Sequence, residues 1–413
     1  MRVQNLTRPI RVLFVDHTAQ LGGGEIALRN LVNSLKTNRV HITVLLWAEG
    51  ALGEQLISAG HAVYILPLSS RIAETRKDSV GWKSLLRVRE LFSMLLFIWK
   101  LVRFIRRMDF DLVHTNSLKS HLVGGLAARL AGRPLVWHLR DRIAPDYLPR
   151  TAVRIVRMAR KMLPQFVIAN SQATLDTIAS RSEHKAGKYQ QLRVIHDGCV
   201  QPARLKDASD GDAPNVGIVG RISPWKGQHV FIKAAAIVSK ECPGTRFQII
   251  GAPLFSETDY EAELHRLAAS LNLEGQLTFT GFVSDVPSAI ARLRIVVHAS
   301  VIAEPFGQVV IEGMAAGKPV IATRAGGIPE IVTHNETGLL VPVEDERALA
   351  DAMIALLRDP ARAKAMGEKG RETVHEFFTM ERHARAVEQV YEDVLLATQR
   401  RPRQGTEESL ERA

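Results

Sequence analysis

Residues 294–318 read RIVVHASVIAEPFGQVVIEGMAAGK and contain the most informative pattern of the sequence. This stretch opens with an apolar run typical of a buried parallel strand, passes through a loop with Pro305 and Gly307, and ends with helical apolar spacing. Gly307 falls where the helix begins, so backbone N–H groups there favour an anionic or hydroxyl-rich ligand. Glu304 in the loop and Glu312, about two turns into the helix, would accept hydroxyl hydrogen bonds. This strand–loop–helix unit predicts a polyol-binding site.

The same alternation of strand and helix patterns runs through both halves of the chain. The predicted strands are residues 11–15, 40–46, 62–66, 111–114, 135–138 and 166–170 in the first half, and 215–220, 247–250, 277–280, 294–297 and 319–322 in the second. Strands separated by helical stretches predict parallel sheets with helices on both faces. We therefore expect an α/β protein with two doubly wound, Rossmann-like domains that face each other across a cleft.

The domain organisation follows from a change in composition between the two series. The chain of 413 residues is longer than one hydrophobic core supports, and residues 200–214 are rich in Ala, Asp, Gly and Pro, as in a linker. We expect an N-terminal domain over 1–199 and a C-terminal domain over 215–380. A helix over 381–399 is expected to pack back toward the N-terminal domain, and the polar tail 400–413 to be disordered.

Charge is divided unevenly between the two halves. Residues 1–200 hold 30 Lys and Arg against 14 Asp and Glu, a net charge of +16, whereas residues 201–413 hold 24 against 29. A basic half predicts an anionic partner: a membrane surface, a phosphorylated acceptor or nucleic acid. The chain has only two cysteines, Cys199 and Cys242, and its N-terminus lacks an apolar signal region, which together predict a cytoplasmic location.

Two further segments follow predicted strands and suit phosphate groups. Arg221 and Lys226 lie in the loop after strand 215–220, where a guanidinium fork and an ammonium can clamp a diphosphate. Gly22, Gly23 and Gly24 follow the first strand without completing a dinucleotide motif. They form either a tight strand-to-helix turn or a place where backbone N–H groups approach a phosphate or sugar.

Taken together, the element from Glu304 to Glu312 and the Gly-Arg-x4-Lys-Gly segment around Arg221 and Lys226 resemble glycosyltransferase family 4. The match extends to residues 280–282, 326–330 and 335–342, and is looser in the first half of the chain. The resemblance implies the GT-B architecture, retaining stereochemistry and no metal requirement.

The resemblance implies roles for the donor-binding residues of the second half. Glu312 would hold the ribose hydroxyls of the donor. Glu304 would be catalytic and contact hydroxyls of the donor sugar, helped by backbone amides near Phe306 and Gly307.

It also implies roles around the phosphates and the transferred sugar. Arg221 and Lys226 would neutralise the diphosphate, which substitutes for a metal as the leaving group departs. Gly22 and Gly23 match glycines that meet the phosphate side of the donor. His138 matches the active-site histidine beside the transferred sugar.

Two histidines compete for that last role, because His114 also ends a predicted strand. A histidine at a strand end is commonly a hydrogen-bonded structural residue, and His114 is interpreted in that way. His138 is favoured for function through the motif match.

The function predicted from these residues is transfer of a hexosyl group from a nucleoside diphosphate sugar to a glycan or lipid-linked acceptor. Such a reaction would serve cell-envelope polysaccharide or glycolipid synthesis. One alternative is a nucleotide-sugar epimerase of the same architecture, and another is a non-catalytic, basic protein that binds nucleic acid. Nucleic acid is not an expected partner, since the sequence shows no helix-turn-helix, zinc-finger or RNA-binding aromatic motif.

No metal cofactor is expected. The sequence has two Asp-x-Asp segments: residues 109–111 open a predicted strand, and residues 210–212 lie in the predicted linker. Neither position is at the edge of a sheet where ligands of this architecture bind.

Residues 82–107 form a helix candidate rich in Leu, Phe and Trp, with Lys100, Arg103 and Arg107 at helical spacing. Its apolar stretch, residues 91–99, is shorter than the roughly 20 residues that a transmembrane helix needs. The segment is either a buried crossover helix or a helix that lies on an anionic membrane. A peripheral position on the inner face of the plasma membrane is the expectation for the second case.

Overall fold

The computed structural model contains two compact units, residues Met1–His196 with Met380–Ala413 and residues Asp197–Thr379. Each is an α/β unit built on a parallel sheet, which confirms the predicted fold class. Predicted linker residues 201–214 and the predicted tail 400–413 lie outside the described part of the chain. The structure describes residues 8–68, 88–179, 191–200, 215–253 and 257–399.

The sheet of the first unit has seven strands in the order β3-β2-β1-β4-β5-β6-β7, all parallel among the described residues. The inner strand β1 is buried on both faces, because Leu13 and Val15 meet one helical layer and Val12 and Phe14 meet the other. This double burial explains the uninterrupted apolar run of the sequence. The strands are β1 (Ile10–Asp16), β2 (Val40–Leu46), β3 (Ala62–Ile65), β4 (Leu112–Thr115), β5 (Leu135–Leu139), β6 (Phe166–Ala169) and β7 (Leu192–Val194).

Helices cover both faces of this sheet. Helices α3, α4 and α5 pack on the face of Leu13 and Trp137, and α1 and α2 pack on the face of Phe14 and Val136. A π-helical turn, Ser120–Gly124, leads directly into α4. The helices are α1 (Gly23–Ser34), α2 (Ala51–Ser58), α3 (Val88–Met108), α4 (Gly125–Leu130), α5 (Arg150–Met162) and α6 (Gln172–Ile178).

The second unit has a six-stranded parallel sheet in the order β10-β9-β8-β11-β12-β13. Because β8 and β11 are neighbours, the loops after these two strands meet at the carboxyl edge of the sheet. The strands are β8 (Asn215–Val219), β9 (Arg246–Ile250), β10 (Leu277–Gly281), β11 (Ile295–His298), β12 (Val320–Thr323) and β13 (Leu339–Val341). The helices are α7 (Gln228–Glu241), α8 (Thr258–Ser270), α9 (Val286–Ala291), α10 (Gln308–Ala315), α11 (Glu346–Arg358) and α12 (Pro360–Phe377).

The last helix, α13 (Met380–Gln399), belongs to the first unit. Val387, Val390 and Tyr391 are buried against the core shared with α1. Glu388 accepts a hydrogen bond of 3.0 Å from the Arg39 guanidinium. The chain therefore returns to its first unit after completing the second.

The boundary between the units lies before the predicted linker. Residues from Asp197 onward group with the second unit. The Cys199 amide donates a 2.8 Å hydrogen bond to the Phe378 carbonyl, and its side chain is buried in that unit's core. Residues 197–199, which were expected to close the N-terminal domain, therefore group with the second unit.

Helix α3 corresponds to the predicted helix over residues 82–107, of which residues 82–87 lie outside the described ranges. Within the described ranges, every helix is too short or too polar to cross a bilayer. Phe97, Ile98, Leu101 and Ile105 of α3 are buried on the sheet, as expected of a crossover helix.

Candidate functional site

Glu304 is the centre of a polar cluster at the carboxyl edge of the second sheet. Its Oε1 atom accepts hydrogen bonds from Lys226 Nζ at 2.5 Å and Ser300 Oγ at 2.6 Å, and lies 3.6 Å from His298 Nε2. Burial alone would raise the pKa of Glu304, but the Lys226 ammonium and His298 hold it well below its usual value. Glu304 is therefore an ionised carboxylate. These contacts all use Oε1, so Oε2 is the oxygen that would accept a ligand hydroxyl.

The loop that carries Glu304 is fixed by the glycine pair after β12. The Gly327 amide donates a 2.9 Å hydrogen bond to the Glu304 carbonyl. Gly326 has a φ of 62°, and a Cβ atom there would overlap the Glu304 backbone. Thr323 Oγ1 adds a 3.0 Å hydrogen bond to the Ser300 carbonyl. The Gly-Gly segment of the sequence thus positions Glu304.

Lys226 reaches Glu304 because the loop after β8 packs closely on the loop after β11. The Val301 amide donates to the Trp225 carbonyl at 2.9 Å. Gly227 has a φ of 73° and presses against the Ala299 backbone, where a Cβ atom would overlap the carbonyl. The structure therefore brings together two predicted site residues that lie 78 positions apart.

Arg221 lies in the same loop as Lys226 but contacts a different carboxylate. Its guanidinium stacks over the Trp225 ring, 4.8 Å from the ring centroid, and its Nε lies 3.7 Å from a Glu257 oxygen. Gln228 Nε2 donates to the Arg221 carbonyl at 2.8 Å and holds the backbone in place. The side chain is 28% exposed, so the cation remains accessible to an anionic ligand.

At the start of α10, the structure leaves Phe306 and Gly307 only their backbone atoms for ligand binding, whereas Glu312 has a side chain for it. Gly307 precedes the helix with a φ of 123°, and a Cβ atom there would overlap the Ile328 side chain. The Phe306 side chain is buried against Phe378, with ring centroids 6.1 Å apart, so only its backbone can meet a ligand. Glu312 is the fifth residue of α10, just past one turn rather than about two, and is half-buried.

Gly22 and Gly23 form the start of α1 in the first unit. The Gly22 amide donates a 3.1 Å hydrogen bond to Glu25 Oε2, and a Cβ atom on Gly22 would overlap that carboxylate. Nothing lies within 4 Å of a Cβ atom placed on Gly23. The need for glycine at position 22 is therefore explained by the cap of α1. At Gly23 the space beside the backbone is open, so a ligand can approach it.

His138 is fully buried in β5, among other histidines of the first unit. Its ring centroid lies 5.3 Å from that of His114 and 5.6 Å from that of His383. Burial, followed by the charge of Arg140, lowers the pKa of His138 well below its usual value, so the ring is neutral. Its role beside a transferred sugar stays a prediction.

His114 has the surroundings of a structural residue, as the sequence indicated. It is fully buried, its Nδ1 lies 2.8 Å from the Tyr391 hydroxyl, and it stacks on Phe14 with ring centroids 4.4 Å apart. These contacts tie β4 to β1 and to α13.

A buried polar network at the ends of β1, β4 and β5 was not predicted. Arg140 Nε donates to Asn116 Oδ1 at 2.8 Å, and Asn116 Nδ2 donates to Asp16 Oδ2 at 2.9 Å and the Gly24 carbonyl at 3.3 Å. All three side chains are over 90% buried. The signal available in the sequence was a polar residue at the carboxyl end of three successive core strands.

A fourth buried histidine, His121, gives the first unit a measurable pH dependence. It lies 2.7 Å from Thr115 Oγ1 and stacks on Trp137, and burial lowers its pKa from 6.5 to about 3. The unfolded chain binds a proton near pH 6.5 but the folded chain does not. Stability from this residue is therefore complete above pH 6.5 and is lost as the pH falls toward 3.

We expect His121→Gln to weaken the dependence of the free energy of unfolding on pH. Between pH 6.5 and 4 the wild-type free energy of unfolding should fall by up to about 1.4 kcal/mol per pH unit more than that of the variant. Urea unfolding of both proteins at several pH values measures the difference. Parallel curves for the two proteins would show that His121 is not buried in its neutral form.

The sequence and fold match known glycosyltransferases. A family model described as Glycosyltransferase Family 4 matches residues 21–199, and one described as Glycosyl transferases group 1 matches residues 202–373. D-inositol 3-phosphate glycosyltransferase of Streptomyces avermitilis is 31% identical over 319 residues, which cover 71% of this chain and 68% of that protein. The enzyme of the same name from Corynebacterium glutamicum is 34% identical over 306 residues, covering 68% and 72%.

A solved structure supports the same assignment over nearly the whole chain. HepE of Anabaena, crystallised with UDP and glucose, superposes with a TM-score of 0.77 at 28% identity, covering 92% of this chain and 98% of HepE. The two Rossmann-like units described above are those of the GT-B fold. This chain is a glycosyltransferase and belongs to glycosyltransferase family 4.

Proposed function

We propose that the protein transfers a hexosyl group, with retention, from a nucleoside diphosphate sugar to a glycan or lipid-linked acceptor of the cell envelope. The observation that carries the proposal is the Lys226–Glu304 pair, joined at 2.5 Å at the carboxyl edge of the second sheet. Support for the donor class comes from HepE, which was crystallised with UDP-glucose. Family membership favours transfer over the epimerase and nucleic-acid-binding alternatives.

The chemistry of this pair suits departure of a nucleoside diphosphate. Negative charge accumulates on the diphosphate as its bond to the sugar breaks, and a cation already held in place stabilises that charge. Lys226 has a fixed position because Glu304 and the packed loops hold it. Arg221, stacked on Trp225, would supply a second cation.

The carboxylates would bind the hydroxyl groups of the donor. Glu304 is ionised and has Oε2 available, so it suits a hydroxyl of the transferred sugar. Glu312 on α10 would hold the ribose, and the backbone at Phe306 and Gly307 would add N–H groups.

In the first unit we propose that the turn of Gly22 and Gly23 meets a phosphate group, with Gly23 offering its backbone amide, and that His138 lies beside the transferred sugar. The open surface at Gly23 supports the first assignment. The neutral ring of His138 would act as a hydrogen-bonding group rather than as a cation.

The proposal predicts activity without a divalent metal. In other transferases a metal ion neutralises the negative charge of the diphosphate, and here Lys226 and Arg221 would do so. Release of nucleoside diphosphate should therefore continue at an undiminished rate in EDTA. Loss of activity in EDTA that magnesium or manganese restores would contradict this part of the proposal.

We also propose that the enzyme works on the inner face of the plasma membrane. The outer face of α3 supports this location, since Lys100, Arg103 and Arg107 are exposed beside an exposed Trp99. Lipid-linked acceptors would be presented at the same surface.

A further inference from the structure

We infer that α3, α4 and α5 together form one docking surface for an anionic lipid bilayer, called here the three-helix face. The inference deepens the proposed membrane location, on which it rests, by adding two helices that the sequence did not indicate. It concerns where the enzyme binds lipid and is independent of how it handles the donor.

The outer side of α3 is apolar, although its inner side already fills the core. Leu91, Phe92, Leu95, Leu96 and Trp99 are 42–68% exposed. A helix that only crosses a sheet needs one apolar stripe, and the opposite side is normally polar. The second apolar side of α3 is left without a partner among the described residues.

Helices α4 and α5 continue this apolar surface. Ile155, Met158 and Met162 of α5 are 45–68% exposed and follow helical spacing along one stripe. Leu126 and Leu130 of α4 are 40% and 52% exposed and lie one turn apart. The two helices therefore present apolar stripes of the same kind as α3.

The three helices are adjacent on one face of the first sheet. Arg106 of α3 donates a 2.6 Å hydrogen bond to the Leu130 carbonyl at the end of α4. A Cβ atom on Gly125 of α4 would lie 3.5 Å from Leu163, the residue that directly follows α5. The exposed stripes thus belong to one continuous layer.

The distribution of exposed apolar side chains is one-sided. Sixteen large apolar side chains are exposed in the described part of the chain, and ten of them lie on α3, α4 and α5. On the other face of the same sheet, α1 and α2 together expose one, Ile57. Scattered exposed apolar residues are normal, but a concentration of this size marks an interaction surface.

The charge of the three-helix face identifies its partner as anionic lipid. Among the described side chains, α3 exposes four Lys and Arg residues and α5 exposes another four, and neither helix exposes an acidic residue. They are Lys100, Arg103, Arg106, Arg107, Arg150, Arg154, Arg157 and Lys161. Protein–protein interfaces are depleted in charge at their centre, whereas membrane-surface helices combine basic residues with Trp, Phe and Leu. Arg103 lies over Trp99, 5.8 Å from the ring centroid, which places a cation beside an aromatic anchor.

The test is sedimentation of the full-length protein with vesicles of phosphatidylcholine, alone or mixed with phosphatidylglycerol. We expect binding to the mixed vesicles, little binding to neutral ones, and weaker binding as salt rises. Met158→Glu with Met162→Glu should reduce binding about ten-fold or more, because both changes place charge in the apolar stripe of α5. Lys100, Arg103 and Arg107 replaced by Glu should have a similar effect through α3.

Ile57→Glu is the matched control, since Ile57 is 58% exposed on the opposite side of the sheet. It should bind vesicles like the wild type. Each variant must also keep the wild-type unfolding midpoint and its release of nucleoside diphosphate, which shows that folding and the donor site are unaffected.

Several outcomes would overturn the three-helix face. These are equal binding to neutral and anionic vesicles, an α5 variant that binds like the wild type, and self-association through this face without preference for lipid. Each can occur while nucleoside diphosphate release stays normal, in which case the proposed reaction stands without this surface. Vesicle binding with no donor turnover would instead count against the reaction.

Discussion

Lys226→Met is expected to weaken binding of the nucleoside diphosphate by about 10- to 150-fold. The substitution removes a charge-assisted contact worth about 1.5–3 kcal/mol. It also leaves the Glu304 carboxylate without its ammonium partner at 2.5 Å. Isothermal titration calorimetry of the full-length protein with the donor's nucleoside diphosphate measures the change.

The matched control is Lys233→Met, because Lys233 is an exposed lysine on α7, the helix that follows the Lys226 loop. Its affinity for the nucleoside diphosphate should equal that of the wild type. Arg221→Ala should weaken binding as well, by removing the cation stacked on Trp225. Unchanged affinity in both the Lys226 and Arg221 variants would refute the diphosphate clamp.

The second large effect separates the two carboxylates of the Glu304–Glu312 element. Glu304→Gln should lower turnover by about 100-fold or more. It removes the carboxylate charge that fixes Lys226 and that accepts a hydrogen bond from the sugar hydroxyl. Glu312→Ala should mainly raise the KM for the donor, since ribose contacts are the same before and during transfer. Steady-state kinetics with varied donor concentration distinguishes the two effects.

Glu274→Gln serves as the control for these variants. Glu274 is exposed in the turn before β10, and is therefore at the opposite edge of the second sheet. Its kinetics should match those of the wild type. Wild-type kinetics in both the Glu304 and Glu312 variants would mean that this element is not the donor site.

Much of the fold could be predicted because parallel strands buried on both faces have near-continuous apolar runs. Strand β1 and strand β11 each show such a run, followed by glycine and a helical pattern. The contact between Lys226 and Glu304 could not be predicted from spacing. It depends on β8 and β11 being neighbours in the sheet, which is a property of strand order.

The surroundings of His138 and Arg140 also could not be predicted from the sequence. His138 is the fourth residue of β5 and Arg140 directly follows the strand, and the sequence does not say which of the two is enclosed by other histidines. In the structure His138 lies between His114 and His383, and Arg140 joins Asn116 through a 2.8 Å hydrogen bond. Tertiary packing of α13, which comes from the far end of the chain, decides the environment of these histidines.

Helix α5 was missed for a different reason. Five of its thirteen residues are Lys or Arg, so the segment has the composition of an ordinary solvated helix. Its apolar residues become noticeable only when the structure divides them between Val153 and Val156, which are buried, and Met158 and Met162, which are exposed. Helix α3 was noticed because its apolar content exceeds what one core-facing stripe requires.

The proposed donor site is tested most directly by measuring release of nucleoside diphosphate by the purified full-length protein from a panel of nucleoside diphosphate sugars. We expect release from at least one donor, at a rate that an acceptor glycan or lipid increases. We further expect Lys226→Met and Glu304→Gln to lose this release while Lys233→Met and Glu274→Gln keep it. Release that is equal in all four variants would contradict the claim that Lys226 and Glu304 form the donor site, and so would the absence of release from every donor.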